Sequence, residues 1–235
     1  RCPLGRVKAD GKSFDTSFGS GGIQTTPVGS SKALVNDMNL QADGKIVVGT
    51  YVEFFNEGLY PPIARLNANG TVDSSIHPFM GSSGFVYKVL VQPDGRILLS
   101  GFWNHINSVF RRNLARFMPD GTPDPTFSNS IFFDDVLDYV RNLDLQPDGK
   151  ILAAGGIRHG ERLNPDGSHD VTMNSFDGPG NLYDLPDGKL LGFTDRTQRF
   201  SSEGFLEAEP TRFNFNGFPS KAAILPDGKS IAVGT

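Results

Sequence analysis

The chain has 235 residues, 37% of them apolar, with 28 glycines, 16 prolines and a formal net charge of −4. Such a composition suits many short strands and tight turns in a single all-β domain. The charge offers no basic footprint for nucleic acid, and no apolar run approaches the roughly 18 residues that cross a bilayer as a helix.

Residues 1–18 open with Arg6, a turn ending at Gly11, then Asp15 and Phe18. A Gly/Ser/Thr-rich crossover fills residues 19–31. A second kind of hairpin follows at Gln41-Ala42-Asp43-Gly44-Lys45, with apolar runs on both sides. It returns as Gln92-Pro93-Asp94-Gly95-Arg96, Gln146-Pro147-Asp148-Gly149-Lys150, Leu185-Pro186-Asp187-Gly188-Lys189 and Leu225-Pro226-Asp227-Gly228-Lys229. Pro presets φ, Asp bonds the local backbone and Gly takes the positive φ, so each copy predicts a β-hairpin.

The first kind also recurs, from Arg65 to Gly70, Arg116 to Gly121, Arg162 to Gly167 and Arg199 to Gly204, with Gly always five residues after Arg. An acid follows each turn: Asp15, Asp73, Asp124, Asp170 and Glu207. Three residues further stand Phe18, Ile76, Phe127, Met173 and Pro210. An arginine flanked by apolar residues on a strand packs its stem and pairs with a nearby carboxylate, so these acids are the expected partners.

Alternating hairpins at a period of forty to fifty residues predict propeller blades of four antiparallel strands. Blades 1 to 4 end near Ile76, Phe127, Met173 and Pro210. Residues 211–235 begin a fifth blade that residues 1–18 complete. From the Gly of the second kind of hairpin to the next Arg the spacing is 21, 21, 13 and 11 residues, and across the joined termini, from Gly228 to Arg6, it is 13. The expected fold is therefore a five-bladed β-propeller over 1–235, closed by the N- and C-terminal halves of one blade, which removes exposed sheet edges.

The Gln-Pro-Asp-Gly-Lys-Ile-Leu hairpin (Gln146 to Leu152) and Arg162-Leu163-Asn164-Pro165-Asp166-Gly167-Ser168, with Asp170 just beyond, resemble the bacterial delta-60 β-propeller repeat family. The resemblance covers essentially the whole chain. It implies a piece of a large secreted or surface protein and names no activity. Leu185 and Leu225 depart from the Gln of the first three copies, and Ser201-Ser202-Glu203-Gly204 replaces Asn-Pro-Asp-Gly.

The two long gaps fall on neighbouring blades. The loop of blade 1 carries Tyr51, Phe54, Phe55 and Tyr60, with Glu57. That of blade 2 carries Phe102, Trp103, His105, Phe110, Arg111 and Arg112, including the only tryptophan. Aromatic and Arg side chains on loops above a rigid scaffold predict a recognition surface for a protein or carbohydrate partner. The bland alternative is that these loops pack on one another or on a flanking domain.

Other chemistry is weaker. The Asn164–Asp170 and Asn67–Asp73 turns space oxygen donors as short calcium loops do, but they are short of carboxylates and Asx turns explain the same residues. No metal ligands, cofactor or catalytic residues are assigned. His77, His105, His159 and His169 are scattered, and no nucleophile elbow, zinc-binding helix or phosphate loop occurs. Asp134, Asp135 and Asp138 form the one acidic cluster outside the repeat, on the crossover between blades 2 and 3. A glycoside hydrolase would need two such acids converging across a channel, and a lectin would need aromatics at one offset in every blade. The lone Cys2 makes no internal disulfide and is expected as a free thiol near the chain end. The expectation is a non-enzymatic binding or structural module of an extracellular or cell-surface bacterial protein, with flanking domains in a longer parent and no membrane span.

Overall fold

The computed structural model describes residues 4–24, 34–51, 63–76, 85–103, 105–106, 109–128, 139–155, 159–174, 180–193, 196–207, 211–212 and 219–234. The structure is all-β, with two compact units, Arg1–Pro125 and Thr126–Thr235.

In the first unit the strands are β1 (Leu4–Gly5), β2 (Ile23–Gln24), β3 (Leu34–Leu40), β4 (Ile46–Tyr51), β5 (Ile63–Leu66), β6 (Val72–Asp73), β7 (Phe85–Val91), β8 (Ile97–Phe102), β9 (His105–Ile106), β10 (Val109–Phe110) and β11 (Leu114–Phe117). One sheet runs β3-β4-β5-β6 and the next β11-β8-β7, the latter extended by a bridge between Phe117 and Pro123. In the second unit they are β12 (Val140–Leu145), β13 (Ile151–Gly155), β14 (His159–Leu163), β15 (Asn181–Asp184), β16 (Leu190–Phe193), β17 (Arg196–Phe200), β18 (Thr211–Arg212), β19 (Pro219–Ile224) and β20 (Ser230–Gly234). Their sheets run β12-β13-β14, β15-β16-β17-β18 and β19-β20, all antiparallel.

The hairpins form where the turn chemistry places them. In each Asp-Gly turn the Gly takes a positive φ, between 78° and 85°. The Asp Oδ1 accepts the amide two residues on, at 3.0 Å in Lys45, Arg96 and Lys150. A turn followed by a left-handed glycine sets the register of the strands it joins. The registers match from sheet to sheet, so Arg65, Arg116, Arg162 and Arg199 each face the third residue after the turn Gly: Val47, Leu98, Leu152 and Leu191.

The expected Arg–acid pairs form. Arg6, Arg65, Arg116 and Arg162 donate from Nε to Asp15, Asp73, Asp124 and Asp170 at 2.9, 2.8, 2.8 and 2.6 Å. The residue after the other turn's Gly joins the same carboxylate: Lys45 Nζ reaches Asp73 and Lys150 Nζ reaches Asp170, both at 2.9 Å. Ser75 and Thr172 donate hydroxyl and amide to the remaining carboxylate oxygen. Glu207 is the exception. Lys189 holds it at 2.7 Å, while Arg199 Nε stands 3.6 Å away and its Nη2 turns to Asp187. The longer glutamate side chain does not reproduce the aspartate geometry.

The same guanidinium also reaches the adjoining repeat. Nη1 of Arg6, Arg65 and Arg162 donates to the carbonyls of Ala68, Pro119 and Ser202 at 2.5–2.6 Å. Each carbonyl lies two residues before the Gly of the next Arg-type turn. One residue past the apolar anchor, Gly19, Ser128 and Asn174 donate backbone amides to Asn69, Asp166 and Glu203 of that turn. The anchor packs on the turn's Gly. A Cβ on Gly70 would come within 3.0 Å of the Phe18 ring, and one on Gly167 would overlap Ser128 O and the Phe127 ring. Glycine is therefore required there by both φ and contact. Arg6 also lies 5.0 Å over the Phe18 ring.

Apolar side chains fill the space between adjoining sheets. Val47, Ile63 and Ile76 pack with Val89, Leu99 and Phe117 in the first unit, and Leu152, Ala154 and Met173 with Leu182 and Phe200 in the second. The closing blade expected from residues 1–18 and 211–235 is represented among the described residues by two separate two-stranded pieces, β1-β2 and β19-β20. Leu4 faces Gln24, and Arg6 N donates to Gly22 O while Arg6 O accepts from Asp15 N.

Removing the shared carboxylate should strand buried cations. Asp170→Ala leaves Arg162, with a side chain 8% exposed, without its partner and should cost about 3–5 kcal/mol in urea unfolding. Acid should act the same way. The hydrogen bond from Lys45, then those from Ser75 and the charge of Arg65, hold the Asp73 carboxyl well below the usual range. The bonds from Thr172, Lys150 and Arg162 outweigh burial and do so for Asp170. A carboxylate pKa lowered by folding contributes stability above its unfolded pKa and loses it as pH falls toward the folded one. Stability should thus hold down to about pH 5 and drop steadily below about pH 4, a trend that urea midpoints across pH will check.

Candidate functional site

The insertion between β8 and β11 folds as a small hairpin, β9 against β10, with Phe110 facing His105 and Val109 facing Ile106. Its neck is closed by Asn113, a buried residue with φ of 60°. Asn113 Oδ1 accepts the Trp103 amide at 3.1 Å, its own amide donates to Trp103 O at 3.1 Å, and its carbonyl accepts from Gly101 N at 3.0 Å. Asparagine tolerates the left-handed conformation because its short side chain bonds locally. Nothing in the spacing marked Asn113; its signal was an Asn just before an apolar run, where the chain re-enters a strand.

Trp103 departs from the expectation that it lies on a recognition surface. It is 2% exposed and packs in the core with Ile63, Ile76, Val86 and Leu99. Gly101 makes the room, since a Cβ there would come 2.5 Å from the indole Cζ3. A large apolar ring beside a glycine gains more from burial than from exposure. Ile106 is likewise 1% exposed. Together they anchor the hairpin from below.

What remains outside is Phe110, 61% exposed, with the exposed His105 ring edge-on to it at 5.5 Å and 81°. Phe102 is half-buried and stacks on Phe85, ring centres 6.2 Å apart. Arg111 and Arg112 are half-buried, and Arg111 Nη1 lies 3.4 Å from its neighbour's carbonyl, Phe110 O. The hairpin thus brings Phe110, His105 and Arg111 together. In the other long loop, only the backbone of Tyr51 is described, at the end of β4. Phe54, Phe55 and Tyr60 lie outside the described residues, as do Glu57, Cys2, His77, Asp134, Asp135 and Asp138.

The Asn164–Asp170 oxygens are engaged in turns. Asp166 Oδ1 accepts both the amide and hydroxyl of Ser168, and Asn164 Nδ2 donates to Ser168 Oγ at 3.0 Å. Among the described residues no group of three or more His, Cys, Asp or Glu is arranged to hold a metal ion. Asp184 differs from the paired carboxylates, since burial raises its pKa against the bond from Gln146 Nε2.

The two aromatic positions should therefore separate on substitution. Trp103→Ala should cost about 3–5 kcal/mol, whereas Phe110→Ser should change stability by no more than about 0.5 kcal/mol; thermal unfolding of both variants will check the contrast.

The profile of a family described as a domain of unknown function, DUF5122 beta-propeller, matches residues 41–75 and 92–127. No curated protein matches the chain in sequence. Solved structures match it in fold. The WD40 β-propeller domain of Doa1 is 15% identical, with a TM-score of 0.58 over 85% of this chain and 60% of that one. YCF48 bound to the D1 peptide is 10% identical, with a TM-score of 0.56 over 95% and 66%. A gluconolactonase from Xanthomonas campestris is 18% identical, with a TM-score of 0.55 over 85% and 69%. The chain spans about two thirds of the length of these proteins. Its fold is of the β-propeller kind, and two of its repeats carry the signature of a β-propeller repeat family.

Proposed function

We propose that the chain is a non-enzymatic binding or structural propeller module of a secreted or cell-surface bacterial protein, and that it recognises its partner through the loops of blades 1 and 2. The repeats are of the delta-60 type. Five four-stranded blades are proposed, the fifth shared between residues 1–18 and 211–235. The repeat offsets support this count, since each leftover hairpin lacks the half that the other supplies.

The observation that carries the recognition reading is the β9–β10 hairpin. It holds Phe110 and His105 outward on a base fixed by Trp103, Ile106 and Asn113. A rigid aromatic presented on a preorganised loop is the usual centre of a binding surface, because little conformational entropy is lost on contact. The carboxylates of the repeat are engaged elsewhere: Asp15, Asp73, Asp124, Asp170 and Glu207 all hold cations. Groups in that role brace the frame and are not placed for acid–base chemistry. Among proteins of this fold, YCF48 is known bound to a peptide, which is the class of partner preferred here over a saccharide.

The test is a parallel screen of the intact chain against a displayed peptide library and a glycan array, repeated with Phe110→Ser. Peptide ligands weakened roughly tenfold in the variant, at unchanged melting temperature, are expected. Ligands indifferent to Phe110, or turnover of a lactone or glycoside by the chain, would overturn the reading.

A further inference from the structure

We infer that the β9–β10 hairpin takes an acidic peptide, with a carboxylate against Arg111 and an apolar or aromatic side chain against Phe110. This rests on the reading of the blade 2 loop as a recognition surface and adds the chemistry of the partner.

Charge supplies the argument. From Gly101 to Phe117 the chain holds Arg111, Arg112, Arg116 and His105 and no Asp or Glu, although the whole chain carries a net charge of −4. Arg116 is engaged with Asp124 inside the sheet. Arg111 is placed differently, with its Nη1 3.4 Å from the carbonyl of the residue before it. A guanidinium offers five donors in a planar fork that fits a carboxylate on two of them. It stands one residue from Phe110, 61% exposed, whose ring is already fixed by His105. An exposed apolar ring beside a cation, on a loop without acids, is complementary to a peptide in which acids and aromatics alternate.

A long polyanion fits less well. Two adjacent half-buried arginines are no phosphate-tracking stripe, and the chain's net negative charge repels an extended polymer. A short peptide engages charges only within about 8 Å, the screening length at physiological salt.

The experiment uses the intact chain and fluorescein-labelled peptides in which acidic and aromatic residues alternate, with neutral (Gln/Asn) and lysine counterparts, read by anisotropy from low to high salt. Heparin and duplex DNA serve as competing probes. The acidic peptide should bind and weaken as salt rises. It should lose roughly tenfold in affinity in Arg111→Glu and in Phe110→Ser, and be retained in Arg111→Lys. Melting temperatures confirm that each variant is folded. Failure of the acidic peptide to bind, binding indifferent to salt, equal binding of the neutral peptide, or preference for heparin or DNA would overturn the inference. A neutral peptide that binds and depends on Phe110 would sink this inference and leave the recognition reading standing. Glycan binding independent of Phe110 would sink both.

Discussion

Within each unit the arginine fork ties one repeat to the next. Its Nε and Nη2 stay at home, on the aspartate and on the hydroxyl two residues beyond it, as Arg65 does with Asp73 and Ser75. Its Nη1 crosses to a backbone carbonyl 54 residues away, at Pro119. Arg162 repeats the arrangement with Asp170, Thr172 and Ser202. A lysine would not serve, because a single ammonium lacks the fixed fork that addresses three acceptors at once. The carboxylate is equally saturated, with one oxygen taken by amide and hydroxyl and the other by two cations. A charge buried to this depth is tolerated because almost every donor and acceptor is matched.

Around that link the remaining features follow as constraints. The turn it reaches must bring its carbonyls close to the neighbouring sheet, so its Gly carries no side chain and the anchor ring of Phe18 or Phe127 lies directly on it. One amide bond and one guanidinium bond then fix the junctions made by Arg6 and Arg162 before any core residue is counted. The apolar layer between the sheets adds the bulk of the favourable energy in the usual way, through area removed from water, but it is less particular about partners. Where the acid becomes Glu207 the arrangement loosens, and Arg199 is 42% exposed.

A frame fixed in this manner leaves the connections between the second and third strands free to vary. The long connection in blade 2 builds its own hairpin on buried Trp103 and Ile106. Binding residues carried on such an insertion are oriented by the frame without contributing to it, which is why Phe110 can be altered at little cost and Trp103 cannot.

The sequence by itself determined what depends on short separations. Turn type follows from Pro, Asp and Gly in one tetrad, and the Arg–Asp pairs follow from an offset of eight or nine residues across a single turn, so both were legible from spacing. The Ser or Thr two residues past each of the four aspartates was equally available as a signal. Tertiary structure alone decided what depends on distant neighbours. Composition made Trp103 look like a binding residue, and only the cavity beside Gly101, walled by Ile63, Ile76 and Val86, turns it inward. Asn113 becomes a clamp only because Gly101 and Trp103 return beside it. The third bond of Arg6, Arg65 and Arg162 finds its carbonyl 40 to 62 residues away, a distance over which no local pattern specifies a partner; packing of one sheet on the next does.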